Sequence, residues 1–184
     1  MAGRVRVYIA CSLDGFIAGP EDDLSWLPGA DGTTPDASAS SPGALSFEAF
    51  MSDVGALLMG RRTYDVVSAF GGDWPYGERV VCVATHRPLK PKVPSVHAVE
   101  GSIHQMIEHA RSAAGGTDVY LDGGELIRQA LDAKLVDHLV VTLVPVALGT
   151  GQPLFAGVSQ RHAFRLEGSY RFAENMVQLH LQTS

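Results

Sequence analysis

The alternation of short apolar runs with helical patterns limits this chain to a small number of folds. Runs at residues 5–10, 55–60, 79–85 and 118–122 are rich in β-branched, aliphatic and aromatic residues, which is typical of buried strands. Residues 102–113 instead place apolar side chains at the spacing of one helical face. Strands that alternate with helices form a mostly parallel sheet with helices packed on it. The sequence therefore predicts an α/β fold.

The C-terminal part of the chain departs from this alternation. Residues 139–148 form the longest apolar run, which we interpret as a long strand. The stretches 163–172 and 176–183 alternate apolar and polar residues and are joined near Glu174, as in an antiparallel hairpin. The expected architecture is a mostly parallel central sheet with an antiparallel C-terminal hairpin, built by residues 1–184 as a single domain.

Serine and glycine residues mark the expected helix ends. Ser46 and Ser102 each precede a helical pattern and can cap it, and Gly115 follows the second of these helices as a stop signal. Residues 29–43 carry no such pattern and are rich in Gly, Pro, Asp, Ser and Ala. We expect this stretch to be an insertion, either a lid or a disordered segment.

Composition and charge exclude several classes of protein. A chain that is 46% hydrophobic and 18% charged has a globular composition, and its net charge of -6 argues against a nucleic-acid-binding surface. The two cysteines, Cys11 and Cys82, lie inside apolar runs, which favours core positions in a reducing compartment over disulfides or metal ligation. The longest apolar run is far shorter than the roughly 20 residues of a membrane span. We therefore expect a cytoplasmic protein without a metal site.

In open α/β sheets, ligands bind at the carboxyl ends of the strands. Two of the predicted strand ends carry polar residues suited to this. Asp14 and Gly15 follow the first strand, and they form either a simple Asp-Gly turn or a site with an acid facing a ligand. Thr85, His86 and Arg87 follow the third and can hold a phosphate or a ribose, although a lone histidine there is also an ordinary surface residue.

A glycine at the second strand end is followed by a cluster of possible anion-binding groups. Gly60 allows a sharp turn, and the N–H groups that begin the next helix can bind an anion. Arg61 and Arg62 place cations beside them, and the Thr63 hydroxyl can donate to a phosphate oxygen. The alternative is that both arginines are simply solvated. Arginines in the first turn of a helix oppose the helix dipole, however, so this alternative leaves their position unexplained.

The fourth strand end has an acid and two glycines, Asp122, Gly123 and Gly124, before another helix. Such a turn serves either close approach of a ligand to the backbone or simple packing. The sequence has no G-x-G-x-x-G after a strand, no Walker lysine motif and no nucleophile elbow. Two anion sites at neighbouring strand ends, without these motifs, are what a dinucleotide bound across a differently built sheet would need.

Taken in order, the stretches "VYIACSLDGFIAG", "LLMGRRTYDVV", "VVCVAT" and "VYLDGGELIRQALDAKLVDHLVVTLVPVALGTGQPLF" resemble the dihydrofolate-reductase-like superfamily. They are more closely similar to the branch that contains the C-terminal reductase domain of the riboflavin-biosynthesis protein RibD and its small stand-alone bacterial relatives. The resemblance covers almost the whole chain apart from residues 29–43. It implies a three-layer α/β/α fold, NADPH as cofactor, a small-molecule substrate and a homodimer. The apolar run at 139–148 also favours a homodimer, since the edge of this strand could pair or be covered.

The resemblance also implies positions for the cofactor. Residues 60–63 would hold the pyrophosphate and the 2′-phosphate, with an arginine giving the preference for NADPH, and residues 121–126 would form a second phosphate cradle. Residues 85–87 would line the adenosine end, and the nicotinamide would lie near Ala10 and Asp122. The implied cofactor-binding residues are Ala10, Gly60, Arg61, Arg62, Thr63, Thr85, His86, Arg87, Leu121, Gly123, Gly124, Glu125 and Leu126.

On the substrate side, the resemblance implies Asp14 and Asp122 as the catalytic candidates, which anchor the substrate or steer a proton. Four aromatic residues could form a wall for a flat heterocycle: Phe16, Trp26, Phe47 and Phe50. Classical dihydrofolate reductases carry a carboxylate on the first helix, where this sequence has Ala44, so the implied substrate is a pteridine or an aminopyrimidine rather than dihydrofolate itself.

Two functions follow as hypotheses. The first is an NADPH-dependent reductase of the 5-amino-6-(5-phosphoribosylamino)uracil reductase type, which passes hydride to a C=N or C=O carbon. The second is a non-catalytic nucleotide-binding or regulatory module that has kept the cofactor half of the site.

Overall fold

The computed structural model describes residues 3–29 and 40–184 and shows strands and helices in the predicted alternation. The strands are β1 (Val5–Ser12), β2 (Phe16–Ala18), β3 (Val54–Gly60), β4 (Val80–Ala84), β5 (Val96–Val99), β6 (Asp118–Asp122), β7 (His138–Val144), β8 (Gln152–Pro153), β9 (Phe164–Phe172) and β10 (Met176–Thr183). The helices are α1 (Phe47–Ser52), α2 (Arg61–Ala69), α3 (Ile103–Ala114) and α4 (Gly124–Asp132), with a 3₁₀ turn at Pro20–Asp22.

Eight strands form the central sheet in the order β5-β4-β3-β6-β1-β7-β10-β9. All neighbours from β5 to β7 are parallel, whereas β10 runs antiparallel to both β7 and β9. The predicted mostly parallel sheet with an antiparallel C-terminal hairpin is therefore confirmed. Because the parallel strands share one direction, their carboxyl ends all lie at the same edge of the sheet.

Helices cover both faces of the sheet. Helices α3 and α4 pack on one face, where Ile107 and Ile127 are fully buried against strand residues such as Leu58. Helices α1 and α2 pack on the other face, where the fully buried Phe50 and the nearly buried Tyr64 belong to a second apolar cluster. This is the three-layer α/β/α arrangement that the resemblance implied.

The serine caps lie where the sequence predicts them. The Ser46 hydroxyl accepts a hydrogen bond from the Ala49 N–H at the start of α1. Ser102 and Gln105 form a reciprocal capping box at the start of α3, and Gly115 ends that helix in the left-handed region with φ of 61°. These local signals fix where two helices begin, and thus which side chains face the sheet.

Strand β7 differs from its prediction in length and in position. It ends at Val144 rather than at residue 148, because Pro145 has no N–H to give to a sheet ladder. It also lies between β1 and β10, so its edge is covered within the chain, which is one of the two expected outcomes, and it is not free to pair with a second copy. The hairpin folds back onto β7 and covers it, which leaves β5 and β9 as the outer strands.

The loops that follow β1 and β7 meet in a second, two-stranded sheet of β2 and β8, which the sequence analysis missed. These strands have three and two residues, too few for an alternating pattern to show. Of the expected insertion at 29–43, residues 30–39 lie outside the described part of the chain. Helix α1 begins at Phe47, so Ala44 precedes it. None of the described helices has the length and apolar character that a membrane span requires.

Candidate functional site

A crevice opens between β1 and β6 at the carboxyl edge of the sheet. Strand β1 pairs with β7 along its length, up to Ser12 opposite Val144, but it pairs with β6 only at Val5 and Arg6. Beyond Arg6 the two parallel strands part, and their backbones no longer share a ladder. A cleft of about 690 Å³ runs along this edge, a size typical of small-molecule and cofactor sites.

The cleft brings most of the predicted cofactor-binding residues together. Its walls include the carboxyl ends of β1, β3, β4, β5 and β6 and the first turns of α2 and α4. The predicted residues in its lining are Ala10, Gly60, Arg61, Arg62, Thr63, Thr85, His86, Asp122, Gly123, Gly124, Glu125 and Leu126. Arg87 and Leu121 are not among the lining residues, since Arg87 points into solvent and Leu121 is fully buried in the core.

The two glycine turns lie against each other. Gly123 has φ of 98°, and a Cβ added there would lie 2.7 Å from the Thr63 hydroxyl and 3.5 Å from the Gly60 nitrogen. A Cβ added at Gly60 would instead meet nothing within 4 Å, because it would stand in the open cleft. Gly123 is therefore required by close packing between the turns, whereas Gly60 leaves its backbone open to a ligand at the start of α2.

Both arginines at the start of α2 have acidic partners. The Arg61 Nε donates to Asp65 Oδ1 at 2.8 Å, and its Nη1 donates to the Pro88 carbonyl at 3.0 Å. Arg62 forms an ion pair with Asp22, which reaches it from the 3₁₀ turn on the opposite wall of the cleft. These pairs lower the cost of cations beside the helix N-terminus and hold both guanidinium groups at the cleft.

Arg128 contributes a third arginine to the cleft that the sequence analysis missed. It lies one turn into α4, and its Nη1 donates to the Pro153 carbonyl of β8 at 2.6 Å. Its spacing of four residues from Gly124 places it on the same helical face as that turn, which is the signal that could have identified it.

Asp122 ends β6 at the crevice and carries an unusual carboxyl group. Burial raises the pKa of Asp122 from 3.8 to about 6, although the hydrogen bond from the Gly123 N–H and the nearby Tyr120 hydroxyl act to lower it. The Gly123 N–H lies 2.7 Å from Oδ1, whereas the single proton of the Tyr120 hydroxyl is donated to the Tyr8 carbonyl at 2.9 Å. An acid with a pKa near neutrality in a cleft can hold and deliver a proton.

Asp14, the other catalytic candidate, stabilises the turn after β1 through hydrogen bonds to its carboxylate. Its carboxylate accepts hydrogen bonds from the Ser12 hydroxyl at 2.6 Å, the Gly149 N–H at 2.6 Å and the Leu148 N–H at 3.1 Å. These bonds lower its pKa to about 2, so the group is ionised at neutral pH. Asp14 does not line the cleft, and its contacts tie the turn after β1 to the loop after β7. Of its two interpretations, the Asp-Gly turn is the one that this geometry favours.

The four aromatic residues expected to hold a substrate lie outside the cleft lining: Phe16, Trp26, Phe47 and Phe50. Phe50 has no exposed surface, and its ring packs 4.9 Å from the Tyr8 ring and 5.1 Å from the Tyr120 ring, centre to centre. It therefore supports the cleft wall from behind. We call one part of the cleft lining the β1 end. It consists of Tyr8, Ala10, Leu24, Leu27, Tyr120 and Asp122.

The residues after β4 form the far end of the cleft. The Thr85 hydroxyl accepts the Arg87 N–H at 3.1 Å, which shapes the turn, and Thr85 and His86 line the cleft. His86 lies 3.4 Å from a Glu100 carboxylate oxygen and is largely exposed. Within residues 3–29 and 40–184, no group of three or more His, Cys, Asp or Glu side chains could hold a metal ion.

Comparisons with known proteins agree with this geometry. The chain is 32% identical to the "Putative riboflavin biosynthesis protein" of Shewanella sp. PV-4, whose structure matches with a TM-score of 0.80 over 100% of this chain and 99% of that one. It is 27% identical to the uncharacterized protein YwjB of Bacillus subtilis (strain 168), over 98% of each chain. Its fold matches the dihydrofolate reductase of Enterococcus faecalis in complex with NADP(H), with a TM-score of 0.62 at 15% identity over 100% and 98% of the two chains.

The model of the RibD C-terminal domain matches residues 4–178, which include every strand and helix that borders the cleft. This chain therefore belongs to the RibD C-terminal domain family.

Proposed function

We propose that the protein is an NADPH-dependent reductase that transfers hydride to a C=N or C=O carbon of a pteridine-like or aminopyrimidine-like substrate. The observation that carries this proposal is the crevice between β1 and β6, with the half-buried Asp122 beside two touching glycine turns. It is an opening in the sheet where a flat ring can enter next to a group that holds a proton.

The cleft fits a dinucleotide phosphate. The open face of Gly60 and the N–H groups at the start of α2 suit a pyrophosphate, and the adjacent arginines suit the additional 2′-phosphate of NADPH. Gly124, at the start of α4, offers a second helix N-terminus across from them. The Enterococcus relative binds NADP(H) on the same fold, which supports this assignment. When bound near Ala10 and Asp122, the cofactor would supply the hydride.

Asp122 would supply the proton. Reduction of a C=N or C=O bond leaves a negative heteroatom that must be protonated, and a carboxyl with a pKa of about 6 is still partly protonated at neutral pH. The hydrogen bond from the Gly123 N–H fixes the orientation of this carboxyl. Such a group favours a reductase over a non-catalytic binding module, for which a raised carboxyl pKa would have no use.

Titration of the purified protein with NADPH and with NADH tests the proposal. We expect tighter binding of NADPH, and we expect Arg61→Ala and Arg62→Ala to weaken NADPH far more than NADH. Arg165→Ala, an exposed position on β9, is the control and should change neither affinity. If neither cofactor binds, the reductase proposal fails. Binding without NADPH oxidation across a broad panel of pteridines and aminopyrimidines would favour the binding module.

We also propose a homodimer, from family resemblance. Because β7 is covered by β10, the interface would have to use another surface than that run. Light scattering measures the mass directly, and a monomer at micromolar concentration would contradict the proposal.

A further inference from the structure

We infer that the substrate of this cleft is an uncharged planar heterocycle that carries no phosphate group. This inference rests on the proposed reductase function and narrows its substrate. It is carried by the distribution of charge around the β1 end of the cleft, where the substrate would meet Asp122.

The first part of the argument is a run of sequence without cations. Residues 12–60 contain no arginine, lysine or histidine, and they contain eight aspartate or glutamate residues. This run forms β2, the 3₁₀ turn, α1 and β3, and it supplies Leu24, Leu27 and Asp22 to the cleft wall. A phosphate that entered from this side would approach negative groups without a cation from the same segment to offset them.

The second part is the character of the β1 end itself. Tyr8 and Tyr120 present aromatic rings, Leu24 and Leu27 present aliphatic side chains, and Asp122 is the one ionisable carboxyl among these lining residues. The Tyr120 hydroxyl is already bonded to the Tyr8 carbonyl. These groups suit a flat ring whose N–H donates to Asp122, and they offer a phosphate no charged donor.

The third part is the position of the cations among the described residues around the cleft. Arg128 lines the cleft beside β8, where its Nη1 is held by the Pro153 carbonyl at 2.6 Å. Arg6 is nearly buried and lies within 3.2 Å of both Asp118 and Asp53. Arg171 pairs in register with Val177, which is opposite Leu143, so its side chain points to the sheet face away from Tyr8. The arginines of α2 lie at the cofactor phosphates in the proposed complex, and Arg62 is also paired with Asp22.

The fourth part is the effect of a phosphate on Asp122. A dianion near this carboxyl would raise its pKa above its value of about 6, because the two negative charges repel each other in a poorly solvated place. The energy of that repulsion would oppose binding of a phosphorylated substrate. An uncharged substrate of the same ring system avoids it.

A matched pair of ligands tests the inference on the full-length protein saturated with NADPH. The pair is 5-amino-6-ribosylaminouracil and its 5′-phosphate, and a second pair is an uncharged hydroxymethylpterin and its phosphate. We expect the uncharged member to bind at least about tenfold more tightly, a difference of about 1.4 kcal/mol. Equal or tighter binding of the phosphorylated member would overturn the inference, as would no binding of either pair to a protein that binds NADPH.

A variant that introduces a positive charge provides a second test of the inference. Leu24→Lys places an ammonium group at the β1 end and should improve binding of the phosphorylated member severalfold relative to the uncharged one, with the gain reduced at high salt. Leu166→Lys, at an exposed position on β9, is the matched control. An unchanged ratio in Leu24→Lys would overturn the placement of the substrate. If NADPH itself fails to bind, the reductase proposal fails, and the same pairs titrated into the cofactor-free protein still test the charge argument.

Discussion

Gly60→Ala separates the role of the first glycine turn in binding from its role in folding. The backbone at Gly60 has φ of -70° and ψ of 156°, which any residue can adopt, and a methyl group there meets no atom of the protein within 4 Å. Two effects on stability oppose each other. Alanine lowers the entropy of the unfolded chain, which stabilises by about 0.4–1 kcal/mol. As a helix N-cap it is poorer than glycine, by roughly 0.5–1 kcal/mol.

The free energy of unfolding of Gly60→Ala should therefore stay within about 0.5 kcal/mol of the wild type. The affinity for NADPH should fall, however. The methyl group would stand between the ligand and the N–H groups of α2, and overfilling a packed contact costs about 1–3 kcal/mol. That corresponds to a rise in Kd of roughly 5- to 150-fold.

The assay is a titration with NADPH beside a urea unfolding curve for each protein. Gly71→Ala is the matched control, because Gly71 also has nothing within 4 Å of an added Cβ but does not line the cleft. It should leave the Kd unchanged. A wild-type Kd in Gly60→Ala would refute the idea that the cofactor approaches this backbone.

Three further predictions concern the same cleft. Asp122→Asn removes a carboxyl whose pKa is raised from 3.8 to about 6, so between these pH values the folded wild type binds more protons than its unfolded chain and loses stability as the pH rises. In urea unfolding, the variant should match the wild type near pH 4 and be more stable at pH 8 by up to about 3 kcal/mol. Equal stability of the two proteins at both pH values would contradict this. Gly123→Ala should destabilise by about 1–3 kcal/mol, because its φ is 98° and its methyl group would lie 2.7 Å from the Thr63 hydroxyl; an unchanged unfolding midpoint would show that the turn relaxes freely. Asp22→Asn frees Arg62 from its ion pair and should tighten NADPH binding by about two- to fivefold at low salt, whereas weaker binding would place Asp22 among the ligand's own contacts.

The sequence predicts those features that local chemistry decides. The serine cap at Ser102, the glycine stop at Gly115 and the turns at Gly60 and Gly123 each depend on a few neighbouring residues, and the structure has all four. Their functional roles stay predictions, since no ligand contact has tested them.

Features set by contacts between distant segments could not be predicted in the same way. Strand β6 enters the sheet between β3 and β1, and only this crossover places Asp122 beside Tyr8 and creates the crevice. Apolar side chains such as Leu24 and Phe50 look alike in sequence, yet one lines the cleft and the other is buried behind it. Hydrophobicity decides that a side chain is buried, but not which cavity it borders.

The two aspartates of β6 lie in different surroundings, which shift their pKa values in opposite directions. At the amino end, burial acts to raise the pKa of Asp118, but hydrogen bonds from Arg4 and Arg6 outweigh it and bring the pKa below 3.8. At the carboxyl end, Asp122 is half-buried and has no ion-pair partner among the described residues, and burial raises its pKa to about 6. The same residue type on the same strand thus has a lowered pKa in an ion pair at one edge of the sheet and a raised pKa at the other edge. Because an uncompensated carboxyl costs stability at neutral pH, its presence in the cleft supports the proposal that it donates a proton.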